Sequence, residues 1–283
     1  MADTPPAPND SLGSLFDLFG WFYARAWPGI AALWAVIMLP AELVVVAVKL
    51  GAGLATPQAF AEAIKARDFA PALAFAAVQA LFLAAVFVHA WAVTAFAEAV
   101  FRGSATPVAD SLRLVASTVL AQLWSFVSVM ARLLPCVFLA GIAAALCGRL
   151  VPVVSILIIL ATAIAAPYFL TRWLLVSAVV LFEGVSGSEA LRRSVALTSR
   201  RLGLFALHFY AFNIVTVVGS LVMGLLIGLA SVKAGFPNAG GAVAGAAGAM
   251  TFGPMAAALF VGMYRREIVA EKGTPWPAPA GPA

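Results

Sequence analysis

Three ionisable side chains, Glu42, Arg132 and Arg172, stand inside long apolar runs, and their placement bears most directly on chemistry. An Arg at the centre of a bilayer costs about 2.5–3.5 kcal/mol on insertion scales, so it turns inward to a partner or to water. At a helical rise of about 1.5 Å per residue, Glu42 stands about 22 Å beyond Trp27 and Arg132 about 21 Å beyond Thr118. These matching depths predict an ion pair between Glu42 and Arg132, with Arg172 as the competing partner. Such a pair either fixes helix register, at a cost in desolvation, or forms a proton- or ion-coupled site at mid-membrane. We favour the register role, because transport sites bring more polar groups and broken helices.

Other residue types offer less. The two histidines, His89 and His208, lie in separate apolar runs without a neighbouring ligand or nucleophile. A zinc site wants several N, S or carboxylate ligands at helical spacing, and catalysis wants an assembled set of groups. The chain carries no phosphate-binding glycine loop, nucleophile elbow or H-E-x-x-H. It is therefore read as a non-enzyme with no cofactor and no metal, its histidines serving as polar helix contacts. Cys136 and Cys147 would lie about 16 Å apart along one helix, too far for a disulfide, and are expected to be small buried apolar residues.

What positions these groups is a set of six apolar stretches, at about 27–50, 71–96, 118–147, 150–182, 202–232 and 240–264. Each exceeds the roughly 20 residues that a helix needs to cross the hydrocarbon core. Lipid cannot satisfy open backbone groups, so the spans must be helices. Composition agrees: 64% of residues are hydrophobic and 10% charged, with a mean hydropathy of +1.04. The expected fold is an all-α polytopic membrane bundle of about six spans. It forms a single membrane domain over 11–273, between disordered tails at 1–10 and 274–283. No basic leader precedes the first apolar run, so that run is expected to stay as a span. The third and fourth stretches are longer than a straight crossing needs, and kinks at Pro135 and Pro167 or a re-entrant part would absorb the excess.

Charge sets the orientation. One side holds Arg25, Arg102, Arg113, Arg192, Arg193, Arg200, Arg201, Arg265, Arg266 and Lys272, and the other only Lys49, Lys65, Arg67, Arg149 and Lys233. The positive-inside rule then places both termini in the cytoplasm of a bacterial inner membrane. The net charge of +5 sits beside the spans, which fits anionic headgroups. Nucleic acid would need a dense basic face with base-contacting groups. On the same side, segments 11–26, 105–115 and 188–201 are expected to be interfacial amphipathic helices. The first puts Leu12, Leu15, Phe16, Phe19 and Phe22 on one stripe. The second opens at Thr106-Pro107. The third follows a capping box, Ser186-x-x-Glu189, and shows Leu191, Ser194, Val195 and Thr198 on one face. Asp10-Ser11-Leu12 and Asp110-Ser111-Leu112 match, which suggests three copies of one surface helix followed by two spans.

Several pairings follow. Glu98 and Arg102, spaced i, i+4, are expected to form a surface pair. Glu183 is expected to anchor the basic helix 188–201. Ser220, Gly224 and Gly228 recur every four residues, as do Gly241 and Gly245, and should mark close helix approaches within or between subunits.

The connection reading Thr171-Arg172-Trp173-Leu174, then an apolar run to Glu183 and Ser188-Glu189-Ala190-Leu191-Arg192-Arg193-Ser194, is the most distinctive text of the chain. With it goes the last span, from Phe252-Gly253-Pro254 to Met263-Tyr264-Arg265-Arg266-Glu267. Together they resemble the six-span bacterial membrane proteins grouped with the glycerophosphoryl diester phosphodiesterase membrane domain. Where those proteins often carry Gly after a Leu-Thr pair, this chain has Ser199-Arg200-Arg201. The family's soluble catalytic barrel has no counterpart here, so its activity is not implied. The expected role is a membrane-organising or partner-binding component with a basic cytoplasmic face. Its partners would be anionic lipid, another membrane protein or a second copy of itself. A small transporter or permease subunit built on Glu42, Arg132 and Arg172 is the alternative.

Overall fold

The computed structural model describes residues 12–51, 69–150, 152–234 and 240–273, and among them the chain is helical without a strand. In chain order the helices are α1 (Leu12–Gly51), α2 (Phe69–Phe101), α3 (Pro107–Leu150), α4 (Pro152–Arg172), α5 (Val176–Glu183), α6 (Gly187–Ser199), α7 (Leu202–Lys233) and α8 (Gly240–Lys272). Among the described residues four stretches, Asp17–Val48, Ala76–Phe101, Pro107–Leu146 and Leu202–Lys233, are long and apolar enough to cross a membrane; a fifth results if a bent pair counts as one span. The tails at 1–10 and 274–283 lie outside the described residues.

Two of the three expected surface helices are not separate elements. Segment 11–26 is the first part of α1, which passes through Pro28 and Pro40 without a break. Segment 105–115 likewise opens α3, which continues through Pro135. In lipid an interrupted helix would leave backbone groups without partners, so continuity through a proline is favoured over a gap. The fourth apolar stretch does break. Trp173 closes α4 by donating its N–H to the Phe169 and Leu170 carbonyls, and α5 begins three residues later. Beyond α5 the chain bends by 115° through Gly184 and Gly187, whose φ values of 72° and 59° lie where residues with a Cβ are strained. The bend delivers α6 as the one expected surface helix that stands alone. Its Ala190, Leu191, Ser194, Leu197 and Thr198 are buried, and Arg192, Ser199 and Arg200 are exposed.

Packing is concentrated at one end of the molecule. Phe22, Ile30 and Leu33 of α1 meet Trp91 and Phe96 of α2 and Ala258 and Val261 of α8 in one cluster. Leu175 just before α5, Val179 of α5, Leu191 and Leu197 of α6, Phe205 of α7 and Leu259 and Met263 of α8 form a second. Residues 257–264 of α8 thus serve both cores. Rings mark the antiparallel pairing of α1 and α2, with Phe22 edge-on to Phe96 at 6.3 Å and Trp21 stacked on Phe101 at 5.6 Å. Away from this end the helices turn large apolar side chains outward, among them Leu43, Leu81, Phe138, Leu146, Leu221, Leu225 and Leu229. Water would penalise such a surface; lipid would not.

Small residues work differently from expectation. Gly224 and Gly228 face open space and Ser220 is exposed, so within this chain the two glycines mark no close helix approach. The close approach of α7 to α8 falls one residue earlier, where Phe252 occupies the space a side chain at Gly219 would need. Gly29 receives Phe96 in the same way. At Gly241 and Gly245 the side-chain surroundings lie outside the description. Cys136 is exposed rather than buried and is free; Cys147 lies outside the described side chains.

Candidate functional site

The charged ends of the helices converge at the packed end, and there the polar side chains form two ion-paired groups. The first is built on α6. Arg193 directs Nε to Glu183 at the end of α5, at 2.8 and 3.2 Å from the two carboxylate oxygens. Its Nη1 and Nη2 donate to the two oxygens of Glu271 on α8, at 3.1 and 2.6 Å. Tyr264 donates its hydroxyl to Glu183 at 3.0 Å, and Arg200 lies 3.8 Å from Glu271. A guanidinium is a planar fork of donors, which suits a bridge between two carboxylates. The hydrogen bond from Arg193 holds the Glu271 carboxyl below the usual carboxylate range.

The second group centres on Glu98. Arg102 donates to it at 2.7 Å with the expected spacing. Yet Glu98 is buried, not a surface residue, because Arg265 of α8 lies 3.1 Å from its other oxygen. One exposed and one buried guanidinium thus share a carboxylate. Arg266 pairs with its neighbour Glu267 at 2.9 Å, and Glu267 is also buried. The carboxylates Glu98, Glu183 and Glu267 are drawn into the protein, while Arg25, Arg102, Arg113, Arg192, Arg200, Arg201 and Lys272 remain exposed. Arg265 is buried as well, and Asp17, Glu189 and Glu271 are exposed, so among the described residues the exposed cations outnumber the exposed carboxylates.

Neutral hydrogen bonds hold α6 in place. The expected capping box is absent, for Ser186 makes no side-chain cap. Instead Ser125 of α3 accepts the Gly187 N–H at 2.7 Å, so the first turn is capped from a neighbouring helix. Gly187 approaches Trp124 closely enough that a Cβ would collide with the indole. Farther along, Ser194 and Thr198 donate to the Arg172 carbonyl at 2.8 and 3.3 Å.

The intramembrane triad does not assemble. Arg132 donates to the Ser128 carbonyl at 2.8 Å and to Ser188 Oγ at 3.1 Å, which ties it to the start of α6. Arg172 lies over the Tyr168 ring at 4.9 Å. Among the described residues Glu42 pairs with neither arginine. Matching depth was not enough: α1 and α3 make little contact, and α6 offers Arg132 a nearer acceptor.

Two cavities adjoin these elements. One of about 360 Å3 lies beside Glu98, Arg102, Ser104 and Asp110. The other, of about 530 Å3, is walled by α2, α3, the start of α5 and α8, and is lined by His89, Gln122 and Ser125 among apolar side chains. Sequence reasoning missed the partnership of Arg193 with Glu271 and of Glu98 with Arg265. It also missed Gln122 and Ser125, although two polar residues three apart in an apolar run are the usual sign of a helix contact. His208 donates from Nδ1 to the Leu204 carbonyl of its own helix at 2.8 Å. Among the described residues no three His, Cys, Asp or Glu gather as metal ligands.

Compared with family models, curated proteins and solved structures, the chain matches none.

Proposed function

We propose that this chain is a non-enzymatic, multi-pass protein of a bacterial inner membrane that presents a fixed basic face to anionic lipid headgroups. One observation carries this reading: Arg193 is held by Glu183 and Glu271, so that α6 is pinned while Arg192, Arg200 and Arg201 stay exposed. A pinned helix displays its cations without an ordering cost at binding. Charge attraction to an anionic leaflet is worth about 1 kcal/mol for each Lys or Arg near the surface. By the charge bias this face is cytoplasmic, with both termini on its side. Six spans remain our count, with the sixth along α8.

We also place the chain with the six-span membrane domains it resembles. What supports this is that Glu183, Arg193, Tyr264 and Arg265, from two separated stretches of the resemblance, meet at one end. A membrane-protein partner or a second copy would meet the same basic face or the outward apolar helices. The transporter alternative has little support, because Glu42, Arg132 and Arg172 are not brought together.

The test is the lipid that stays with the protein. The chain would be extracted with its native lipids in polymer-bounded discs. The phosphatidylglycerol fraction around it should exceed that of the bulk membrane. Exchanging Arg192, Arg200 and Arg201 for Glu should return it to the bulk value. Equal fractions in the two proteins would refute the reading.

A further inference from the structure

The larger cavity belongs to neither ion-paired group, and its chemistry differs from theirs. Its volume, about 530 Å3, falls within the range typical of small-molecule sites, about 300–1,000 Å3. Among its described lining residues there is no Asp, Glu, Lys or Arg. The walls are mainly apolar, with Phe87 and Phe126 in contact at 4.4 Å between ring centres and Trp173 and Phe260 on other sides.

Within that apolar wall one polar group is left over. His89 is only 6% exposed, and its Nε2 is buried without a hydrogen-bond partner among the described residues. An unpaired buried polar group costs about 1–3 kcal/mol, so a native one calls for an explanation such as a ligand. Of the other polar side chains, Ser177 keeps its hydroxyl available and the rest are largely committed. Thr94 donates to the Ala90 carbonyl. Ser125 donates to the Ala121 carbonyl and accepts from Gly187. Gln122 donates its amide to the Ser177 carbonyl at 3.1 Å, which leaves its own carbonyl oxygen as an acceptor. A neutral imidazole offers one donor and one acceptor. The available set is therefore small, uncharged and mixed.

We propose that this cavity binds a single uncharged lipid: an apolar chain ending in a hydroxyl, such as a diacylglycerol or an isoprenoid alcohol. A hydroxyl donates and accepts at once, so it can satisfy His89 and the Gln122 carbonyl together. The chain fills the aromatic and aliphatic walls. An anionic headgroup is disfavoured, because no cation among the described residues lines the cavity to offset its desolvation. The site is distinct from the basic face and does not depend on it.

The test uses the full chain in phosphatidylcholine vesicles carrying a diacylglycerol with a diazirine in one acyl chain. After illumination, peptides covering residues 86–94 and 122–130 should carry the label. Unlabelled diacylglycerol or farnesol should compete, and whichever competes better identifies the chain type. His89→Leu should reduce cavity labelling at least fivefold, with His89→Gln restoring part of it. Ala256→Phe, which fills the space, should act like His89→Leu. Labelling at the outward Leu221 and Leu225 should stay constant in all variants, as a measure of the folded, membrane-embedded protein. The proposal is overturned if label appears only on those outward positions or is unchanged by His89→Leu. It is also overturned if the methyl ether of the same probe, which lacks the hydroxyl proton, labels the cavity equally well. The ether comparison needs no variant and decides the matter even if the substitutions disturb folding.

Discussion

Glu98 and Arg265 lie 3.1 Å apart, and both side chains are more than nine-tenths buried. The pair locks the end of α2 to the end of α8, which is the helix that both apolar cores share. Removing one partner of such a pair strands the other charge, at about 3–5 kcal/mol, whereas replacing both with apolar side chains of similar volume is often neutral. Glu98→Ala should therefore lower the unfolding midpoint in detergent markedly. Glu98→Leu combined with Arg265→Met should recover most of the loss. A double variant as unstable as the single one would show that the pair contributes more than mutual compensation.

The hold on α6 should depend on pH. Glu271 has a folded-state pKa below its unfolded value because Arg193 donates to it. Its contribution is complete above the unfolded carboxylate pKa and is lost as pH falls through the lower, folded one. Protection of the amides of residues 187–199 against hydrogen exchange, taken relative to their intrinsic rate at each pH, should be full at neutral pH and fall in acid as Glu271 is protonated. Glu271→Gln should remove this dependence and leave faster exchange at all pH values. Unchanged exchange in that variant would mean that Glu183 and the serine contacts suffice.

Gly187 carries two demands at one position, a φ of 59° and the close passage of Trp124. Left-handed backbone at a residue with a Cβ costs on the order of 1–3 kcal/mol, so Gly187→Ala should destabilise the protein by at least that range. Trp124→Ala in the same background should restore part of the loss by clearing the collision. No recovery would assign the whole effect to the backbone.

Cross-linking separates the observed pairing of Arg132 from the expected one. Cysteines at 132 and 188 should be joined by a bis-maleimide about as long as an arginine side chain, since Arg132 reaches Ser188 through its guanidinium. Cysteines at 42 and 132 should not. The opposite result would restore the mid-membrane pair and with it the transporter reading.

The helices were legible because their apolar runs exceed what a bilayer needs, and lipid leaves the backbone no other solution. The boundaries were less so. Residues 12–26 and 107–115 carry an amphipathic stripe that reads the same whether a helix lies in the headgroups or continues into a span. Arg193 was visible as one cation of a basic cluster, but nothing local marks Glu271 as its partner. Glu98 shows its neighbour Arg102 plainly and conceals Arg265, because only packing brings α8 alongside. Glu42 and Arg132 failed for the reverse reason. Depth in the membrane is a sequence property, whereas adjacency of α1 and α3 is not.

The central claim is that the exposed cations share one cytoplasmic side of a membrane bundle. It is tested most directly by labelling with a membrane-impermeant maleimide. In a background with Cys136 and Cys147 replaced by Ala, single cysteines at Arg113, Arg192 and Lys272 should react in inside-out vesicles and remain unlabelled in intact cells. Labelling of any of the three from outside the cell, or a split between the two sides, would contradict the account.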